Sequence, residues 1–192
     1  MRRIFGLLAS ATTLFSAGPG TAATLDDVVI HGKMAEAIRE KNELSVVWAE
    51  KIAKHCIDEA ASHNFGVAVA IIDQYGTIIY YYRGDGKGKA ATESALGKAK
   101  TAWNMRAPSR AAINAVNSGN SSDARQIAAG NLLATGGLPI VVDNQFLGAI
   151  GVGGTAPSPT FNDEICGYNA LTAILGPQPP LLPEVKPPAR GG

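Results

Sequence analysis

The sequence predicts a single α/β domain of the α+β type, in which a five-stranded, mainly antiparallel sheet carries helices on both faces. Apolar residues recur at helical spacing in residues 44–64 and 89–105, whereas the short β-rich runs between the helices are joined by tight turns. Hairpins connect antiparallel neighbours, so most of the sheet should be antiparallel. A chain of 192 residues is long enough for one domain with a proper core.

Two long helices carry this prediction. In residues 44–64 a stripe of small and aliphatic side chains faces a stripe of Lys, Asp and Glu, which is typical of a helix that covers a sheet. In residues 89–105 alanine dominates the apolar stripe. Such a helix can approach a sheet closely, or another subunit.

Two further helices complete the set. Pro108 opens a short helix through Asn117, because proline fits a first helical turn. Thr160 and Asp163 resemble a capping pair that opens a last helix ending at Leu175. The polar segment between residues 118 and 131 reads as a partly irregular connection.

Five strands are predicted in two groups. The first group lies in residues 66–83, as a hairpin around Asp73–Gly76 in which Gly76 takes a positive φ. The second group contains three short strands at residues 132–135, 138–142 and 146–152, with turns at 136–137 and 143–145.

The glycine-rich stretch "TGGLPIVVDNQFLGAIGVGG", residues 135–154, has the glycine content of a phosphate-binding loop but lacks its spacing. That loop needs G-x-G-x-x-G between a strand and a helix, a spacing that Gly148, Gly151, Gly153 and Gly154 do not supply. The following "TAPSPTFND" holds two prolines before any helix can begin. We therefore predict that the glycines serve hairpin turns and close packing of a helix over strands.

Residues 1–23 read as an export leader. Arg2 and Arg3 precede a short apolar run, and Thr21-Ala22-Ala23 forms a small-residue cleavage site. The apolar run is too short to span a bilayer, so we expect a periplasmic or secreted protein without a transmembrane segment. Residues 24–43 form an N-terminal extension, and residues 177–192 a proline-rich tail that should be extended or disordered.

Charge and cysteine content limit the partners. Cleavage of the leader removes two arginines and changes the net charge from +1 to about −1, and no basic stripe is present, so nucleic acid is not an expected partner. Cys56 and Cys166 lack C-x-x-C spacing. Export would permit a disulfide between them if both helices cover the same face of the sheet; two buried free thiols are the alternative.

Three motifs in order resemble the GlcG/HbpS family of small haem-binding-related proteins: "VAVAIIDQYGTIIYYYRGDG", "ALGKAKTAWNMRAPSRA" and "GGLPIVVDNQFLGAIGVGG". The resemblance extends from Leu44 to Leu175, and we place the family-like domain at residues 44–176. It implies a five-stranded antiparallel sheet flanked by helices and assembly into homo-oligomers. It also implies haem binding outside the cytoplasm for some members, and a link to organic-acid or diol catabolism for others.

The sequence offers no convincing catalytic set, which favours a binding protein over an enzyme. There is no G-x-S-x-G motif, and the paired carboxylates look like surface or capping acids. Three histidines scattered along the sequence provide few ligands for a zinc site, which needs three or four. Haem needs less, since one or two axial ligands and an apolar pocket are enough.

Four residues are therefore predicted to bind a cofactor. His31 is the preferred iron ligand, because its segment is not committed to the predicted core, and His55 is the second candidate. By the resemblance, Thr101, Arg106 and also Arg110 would line a pocket, where arginines could hold haem propionates or another carboxylate. Ordinary surface roles are the alternative for each of these residues.

Three functional classes follow from these observations. The first is an exported protein that binds haem or another tetrapyrrole. The second is an enzyme or accessory factor that acts on small organic acids in a catabolic pathway. The third is a structural oligomer without a small ligand. The missing catalytic set favours the first.

Overall fold

The structure is a computed structural model that describes residues 42–118 and 123–187. The predicted leader and the N-terminal extension with His31 lie outside these residues. The elements, in chain order, are α1 (Val46–Ser62), β1 (Ala68–Asp73), β2 (Ile78–Arg83), α2 (Lys89–Met105), α3 (Arg110–Asn117), α4 (Asp123–Ala128), β3 (Gly137–Val142), β4 (Gln145–Gly153) and α5 (Asp163–Leu175). None of the helices described is both long and apolar enough to cross a membrane.

The sheet is antiparallel, as predicted, but has four strands in the order β2-β1-β4-β3 rather than five. The predicted strand at residues 132–135 is a loop. The side chains of helical residues satisfy its backbone: the Leu132 amide donates to Thr101 Oγ1 at 2.7 Å, and Ser109 Oγ donates to the Ala134 carbonyl at 2.7 Å. Because these groups already have partners, the loop does not need to join the sheet.

Helices cover both faces, as predicted. On one face α1 and α5 pack on Val69, Ile71 and Ile150, while on the other α2 packs on Ala70 and Ile72. The alanine stripe of α2 is buried against the sheet through Ala95, Ala99 and Ala102. Of the two uses that the sequence left open for this stripe, packing on the sheet is the one found.

Glycines in β3 and β4 allow α2 to lie directly on the strands. A Cβ atom at Gly151 would collide with the carbonyl oxygen of Ala95, and one at Gly137 with the carbonyl oxygen of Lys98. The predicted close packing of a helix over strands is therefore confirmed.

The two hairpin turns are short. Gly76 has φ of 84° in the β1–β2 turn, as predicted. Asp143 (φ 48°) and Asn144 (φ 61°) alone form the β3–β4 turn, because Gln145 is already paired with Val142. Two successive residues with positive φ are typical of a type I′ turn, whose twist matches that of the strands.

One helix prediction needs correction. Asn162 caps α5, since its Oδ1 accepts from the amides of Glu164 and Ile165 at 3.0 Å each, so the pair Thr160–Asp163 is not the cap. The segment predicted to be partly irregular contains the short helix α4.

Cys56 of α1 and Cys166 of α5 form a disulfide, with both side chains buried and 5.2 Å between their Cα atoms. Both helices lie on the same face of the sheet, which is the geometric condition set from the sequence. The choice between a disulfide and two free thiols is thereby settled.

The described start of the C-terminal tail is extended and bound to the domain. The side chain of Gln178 donates to the Val141 carbonyl at 3.0 Å and accepts from the Val141 amide at 3.4 Å, as a neighbouring strand would. Asn114 donates to the Pro183 carbonyl and accepts from the Val185 amide. The tail thus binds the outer edge of β3 at Val141, where the strand would otherwise be open to pairing with another chain, and continues along α3.

We expect Gly151→Ala to lower the free energy of unfolding by about 1–3 kcal/mol, because the added methyl group pushes α2 off the sheet. Urea unfolding of purified protein measures the change. Gly88→Ser is the matched control: a side chain there meets open space at the start of α2, so stability should hold or rise slightly. Equal stability of Gly151→Ala and the parent would contradict the packing described.

Removal of the disulfide by Cys56→Ala with Cys166→Ala should cost up to about 4–5 kcal/mol, since the bond closes a loop of 110 residues. Unfolding in urea with and without reductant measures this difference in the parent, and the double variant should lose all sensitivity to reductant. Two titratable thiols in parent protein unfolded without reductant would refute the bond.

Candidate functional site

The structure does not bring the predicted cofactor-binding residues together. His31 lies outside the described residues. His55 is half-buried on α1, whereas Thr101 and Arg106 belong to α2 on the other face of the sheet. The sheet therefore separates His55 from the other two.

Thr101 holds a loop in place. It is 1% exposed, and its Oγ1 donates to the Gly97 carbonyl at 2.9 Å while accepting from the Leu132 amide at 2.7 Å. The hydroxyl group is therefore occupied by protein partners. Thr101 can influence a binding site only by positioning residues 129–135.

Arg106 lies at the end of α2 with φ of 52°, a left-handed conformation common where helices end. Its guanidinium carbon is 3.8 Å from the ring centroid of Phe146 and 5.7 Å from that of Trp103. Since the side chain is exposed and has no carboxylate partner in an ion pair of the described structure, its charge is available to a ligand at this end of the helix.

A cleft runs between the outer face of α2 and residues 127–134; we call it the α2 cleft. It consists of two adjoining depressions of about 590 and 430 Å³, each of the size of small-molecule sites. The first is lined by Ala90, Glu93, Ser94, Gly97, Ile127, Leu132 and Ala134, the second by Tyr75, Gly76, Lys100, Trp103, Asn104 and Ala129, and both by Gly130 and Asn131.

Hydrogen bonds fix the walls of the α2 cleft. Asn104 Nδ2 donates to Asn131 Oδ1 at 2.9 Å, and Asn131 Nδ2 donates to Gln126 Oε1 at 2.7 Å. On the opposite side, Trp103 Nε1 donates to the Gln74 carbonyl at 2.9 Å. The cleft is thus a preformed feature of the fold.

The chemistry of the α2 cleft suits a flat, mostly apolar group with acidic substituents. Ile127, Leu132 and Trp103 supply apolar surface. Lys100 is exposed and lines the second depression, and Arg106 lies beside Trp103. Tyr75, 55% exposed, adds a phenol oxygen, which the sequence analysis did not single out.

A second cavity, of about 600 Å³, lies at the start of α5; we call it the Lys98 cavity. It is lined by Lys98, Ile113, Ala134, Thr135, Thr155, Pro157, Ser158, Pro159, Asn162 and Asp163. Lys98 is 5% exposed, and its Nζ lies 2.6 Å from Asp163 Oδ2 and 2.9 Å from the Val152 carbonyl oxygen.

Sequence reasoning missed this ion pair. The sequence pattern assigns Asp163 to a capping pair, and Lys98 was not among the predicted site residues. A signal was present, since Lys98 follows Ala95 by three positions and precedes Ala102 by four, which places it on the buried stripe. Its partner could not be found in this way, because Asp163 is 65 residues away.

Arg110 also forms an ion pair within the protein. Its Nε lies 3.0 Å from Glu164 Oε2, and its Nη2 donates to the same oxygen. Glu164 is 3% exposed, so the pair is largely withdrawn from solvent. Arg110 is therefore already paired with a carboxylate of the protein.

Other side chains of types that can bind iron are mostly packed within the fold. His63 stacks on Phe161 with ring centroids 4.1 Å apart. Tyr80 and Tyr82 contact the core, whereas Tyr81 points to the opposite face and is 43% exposed, because side chains alternate along a strand. Among the described residues, no three His, Cys, Asp or Glu side chains are grouped closely enough to hold a metal ion.

Comparison with known proteins agrees with the motif resemblance. A family model described as haem degrading protein HbpS-like matches residues 44–171. The GlcG protein of Escherichia coli K12 is 31% identical over 117 residues, which is 60% of this chain and 84% of GlcG.

Solved structures share the fold. A Streptomyces reticuli HbpS variant with two Glu-to-Asp substitutions is 28% identical, with a TM-score of 0.64 over 82% of this chain and 99% of that one. A PduOC:haem complex is 21% identical, with a TM-score of 0.62 over 69% of this chain and 96% of that one, and shows likeness of fold. Since the family model covers most of the described domain, this chain belongs to the HbpS-like family.

Proposed function

We propose that the protein is an exported haem-binding protein that holds haem in the α2 cleft. The observation that carries the proposal is the match of residues 44–171 to a family described as haem degrading and HbpS-like. The haem complex of PduOC, a protein of the same fold, is consistent with it. The proposal concerns binding, which any further reaction of haem would require first.

The residues of the α2 cleft fit haem in three respects. Apolar side chains of Ile127, Leu132 and Trp103 would lie against the ring. Lys100 and Arg106 would hold the propionates by charge. When bound, haem supplies an iron centre that takes one or two axial ligands from the protein.

The sequence predicts His31 as the preferred iron ligand and His55 as the second candidate. Among the described residues of the cleft, Tyr75 offers a phenol oxygen, a known type of haem ligand. A haem in the α2 cleft is separated from His55 of the same chain by the sheet. For a haem in the α2 cleft, Tyr75 therefore replaces His55 as the second candidate after His31, and His55 requires a different site.

Export is proposed from the leader-like residues 1–23. The buried disulfide between Cys56 and Cys166 supports the proposal, since structural disulfides form and persist mainly in oxidising compartments.

Haemin titration tests the function. The parent should give a saturable Soret band, and Ser94→Trp should weaken haemin binding by about tenfold or more, because the indole fills the first depression of the cleft. Glu50→Trp, an exposed position on α1, is the matched control and should bind like the parent. Only weak, nonsaturable uptake by the parent would refute haem binding, and normal binding by Ser94→Trp would exclude this cleft.

The same titration identifies the ligand. His31→Ala should weaken binding and move the Soret maximum while leaving the fold intact. If Tyr75→Phe moves the maximum instead, the phenol is the ligand, because the substitution removes only the oxygen atom. If His55→Ala alone does so, haem lies on the α1 face and the proposed cleft is wrong.

We also propose a homo-oligomer, as the family resemblance implies. The alanine stripe of α2 is used inside the chain, so the contact surface must lie elsewhere. The outer edge of β2 supports the proposal, because Ile78 is 47% and Tyr81 43% exposed there, whereas the edge of β3 already binds the tail at Val141.

Light scattering at micromolar concentration should therefore give a mass of at least two chains, and Tyr81→Lys should lower that mass, because edge lysines oppose pairing between strands. Glu50→Trp again serves as control. A monomeric mass for the parent would refute the oligomer.

A further inference from the structure

The Lys98 cavity contains a buried hydrogen-bond donor that the protein does not use fully. The ammonium group has three protons, and within the described residues its hydrogen bonds go to two acceptors, Asp163 Oδ2 and the Val152 carbonyl. We propose that this cavity is a second ligand site, which binds an uncharged small molecule through a carbonyl oxygen. The inference does not rest on haem binding; Ala134 is the residue common to the linings of the two sites.

The charges around the cavity select an uncharged ligand. Lys98 is paired with Asp163, and Arg110 with Glu164 in the same turn of α5, so the two positive and the two negative charges balance. An anion or a cation bound beside the largely withdrawn Lys98–Asp163 pair would add an uncompensated charge there, at a cost that a neutral ligand avoids.

The donors select an acceptor group on the ligand. Three of the roughly four acceptor sites of Asp163 are filled, because its Oδ1 accepts from the amide and the hydroxyl of Thr155, at 3.0 and 2.8 Å, and its Oδ2 accepts from Lys98. The third proton of Lys98 is left for an oxygen atom of the ligand. A hydrogen bond from a charged donor is stronger than one between neutral groups, which favours a carbonyl or amide oxygen there.

The remaining lining selects a hydrocarbon body. Ile113, Ala134, Pro157 and Pro159 supply apolar surface, and about 600 Å³ is enough for a molecule of small-ligand size. The segment that carries the prolines is held at both ends, since the Thr155 amide donates to Asp163 Oδ1 at 3.0 Å and Asn162 Nδ2 donates to the Ser158 carbonyl at 2.9 Å. A wall held in this way needs little ordering when a ligand binds.

Three probes of one shape test the charge preference. Cyclohexanone, cyclohexanecarboxylate and cyclohexylammonium share a six-membered ring and differ in the group that would face Lys98. In an NMR titration of full-length ¹⁵N-labelled protein, cyclohexanone should shift the amide signals of Thr135, Thr155 and Asn162 in a saturable way, and at least about tenfold more tightly than either ion. Tighter binding of the carboxylate, or no saturable shift with cyclohexanone, would overturn the proposal.

Two variants test the residues. Lys98→Met combined with Asp163→Asn removes the donor and the opposite charge together, leaves an acceptor for Thr155, and should weaken cyclohexanone binding by about tenfold or more. Ile113→Trp should block the cavity, whereas Val116→Trp on the same helix, outside the lining, should bind like the parent. Unchanged cyclohexanone affinity in the folded double variant, or in Ile113→Trp, would refute the site. Haemin binding by all of these variants should stay as in the parent.

Discussion

Direct contact between the backbone of α2 and the middle of the sheet is the constraint on which the rest of this structure depends. Glycine at positions 137, 151 and 153 leaves no side chain between the strands and the helix, and alanine on the facing side of α2 adds only methyl groups. A helix held at this distance gains dispersion contacts along its length and cannot slide or rotate without collision. The role of the glycine-rich sequence is therefore to let α2 pack closely against the sheet.

Both cavities follow from the position of α2. Because α2 lies close to the sheet, Lys98 reaches the Val152 carbonyl and Asp163. For the same reason Thr101 can bind the Leu132 amide and so position the loop before β3. Ala134 of this loop lines both the Lys98 cavity and the α2 cleft. Thr101 of α2 and Ser109, just before α3, bind the backbone of the segment for which the sequence pattern predicted a fifth strand.

The other face of the sheet has a different character. There α1 and α5 bury larger aliphatic side chains and are joined by the Cys56–Cys166 disulfide. A covalent link and a larger apolar core stabilise this layer, while the α2 layer relies on small residues. The Lys98–Asp163 and Arg110–Glu164 ion pairs connect α2 and α3 to the first turn of α5. Residues of α2 line both the α2 cleft and the Lys98 cavity.

The sequence by itself determined the antiparallel sheet, the helices on both faces, the bounds of α2 and the packing role of the glycines, because periodicity and turn chemistry are local properties. It could not determine that Asp163 meets Lys98, that Arg110 meets Glu164, or that His55 and Thr101 lie on opposite faces. The two ion pairs join residues 65 and 54 positions apart. Only the tertiary structure decides them, because a partner so distant along the chain is selected by the packing of whole elements and leaves no periodic trace in either segment.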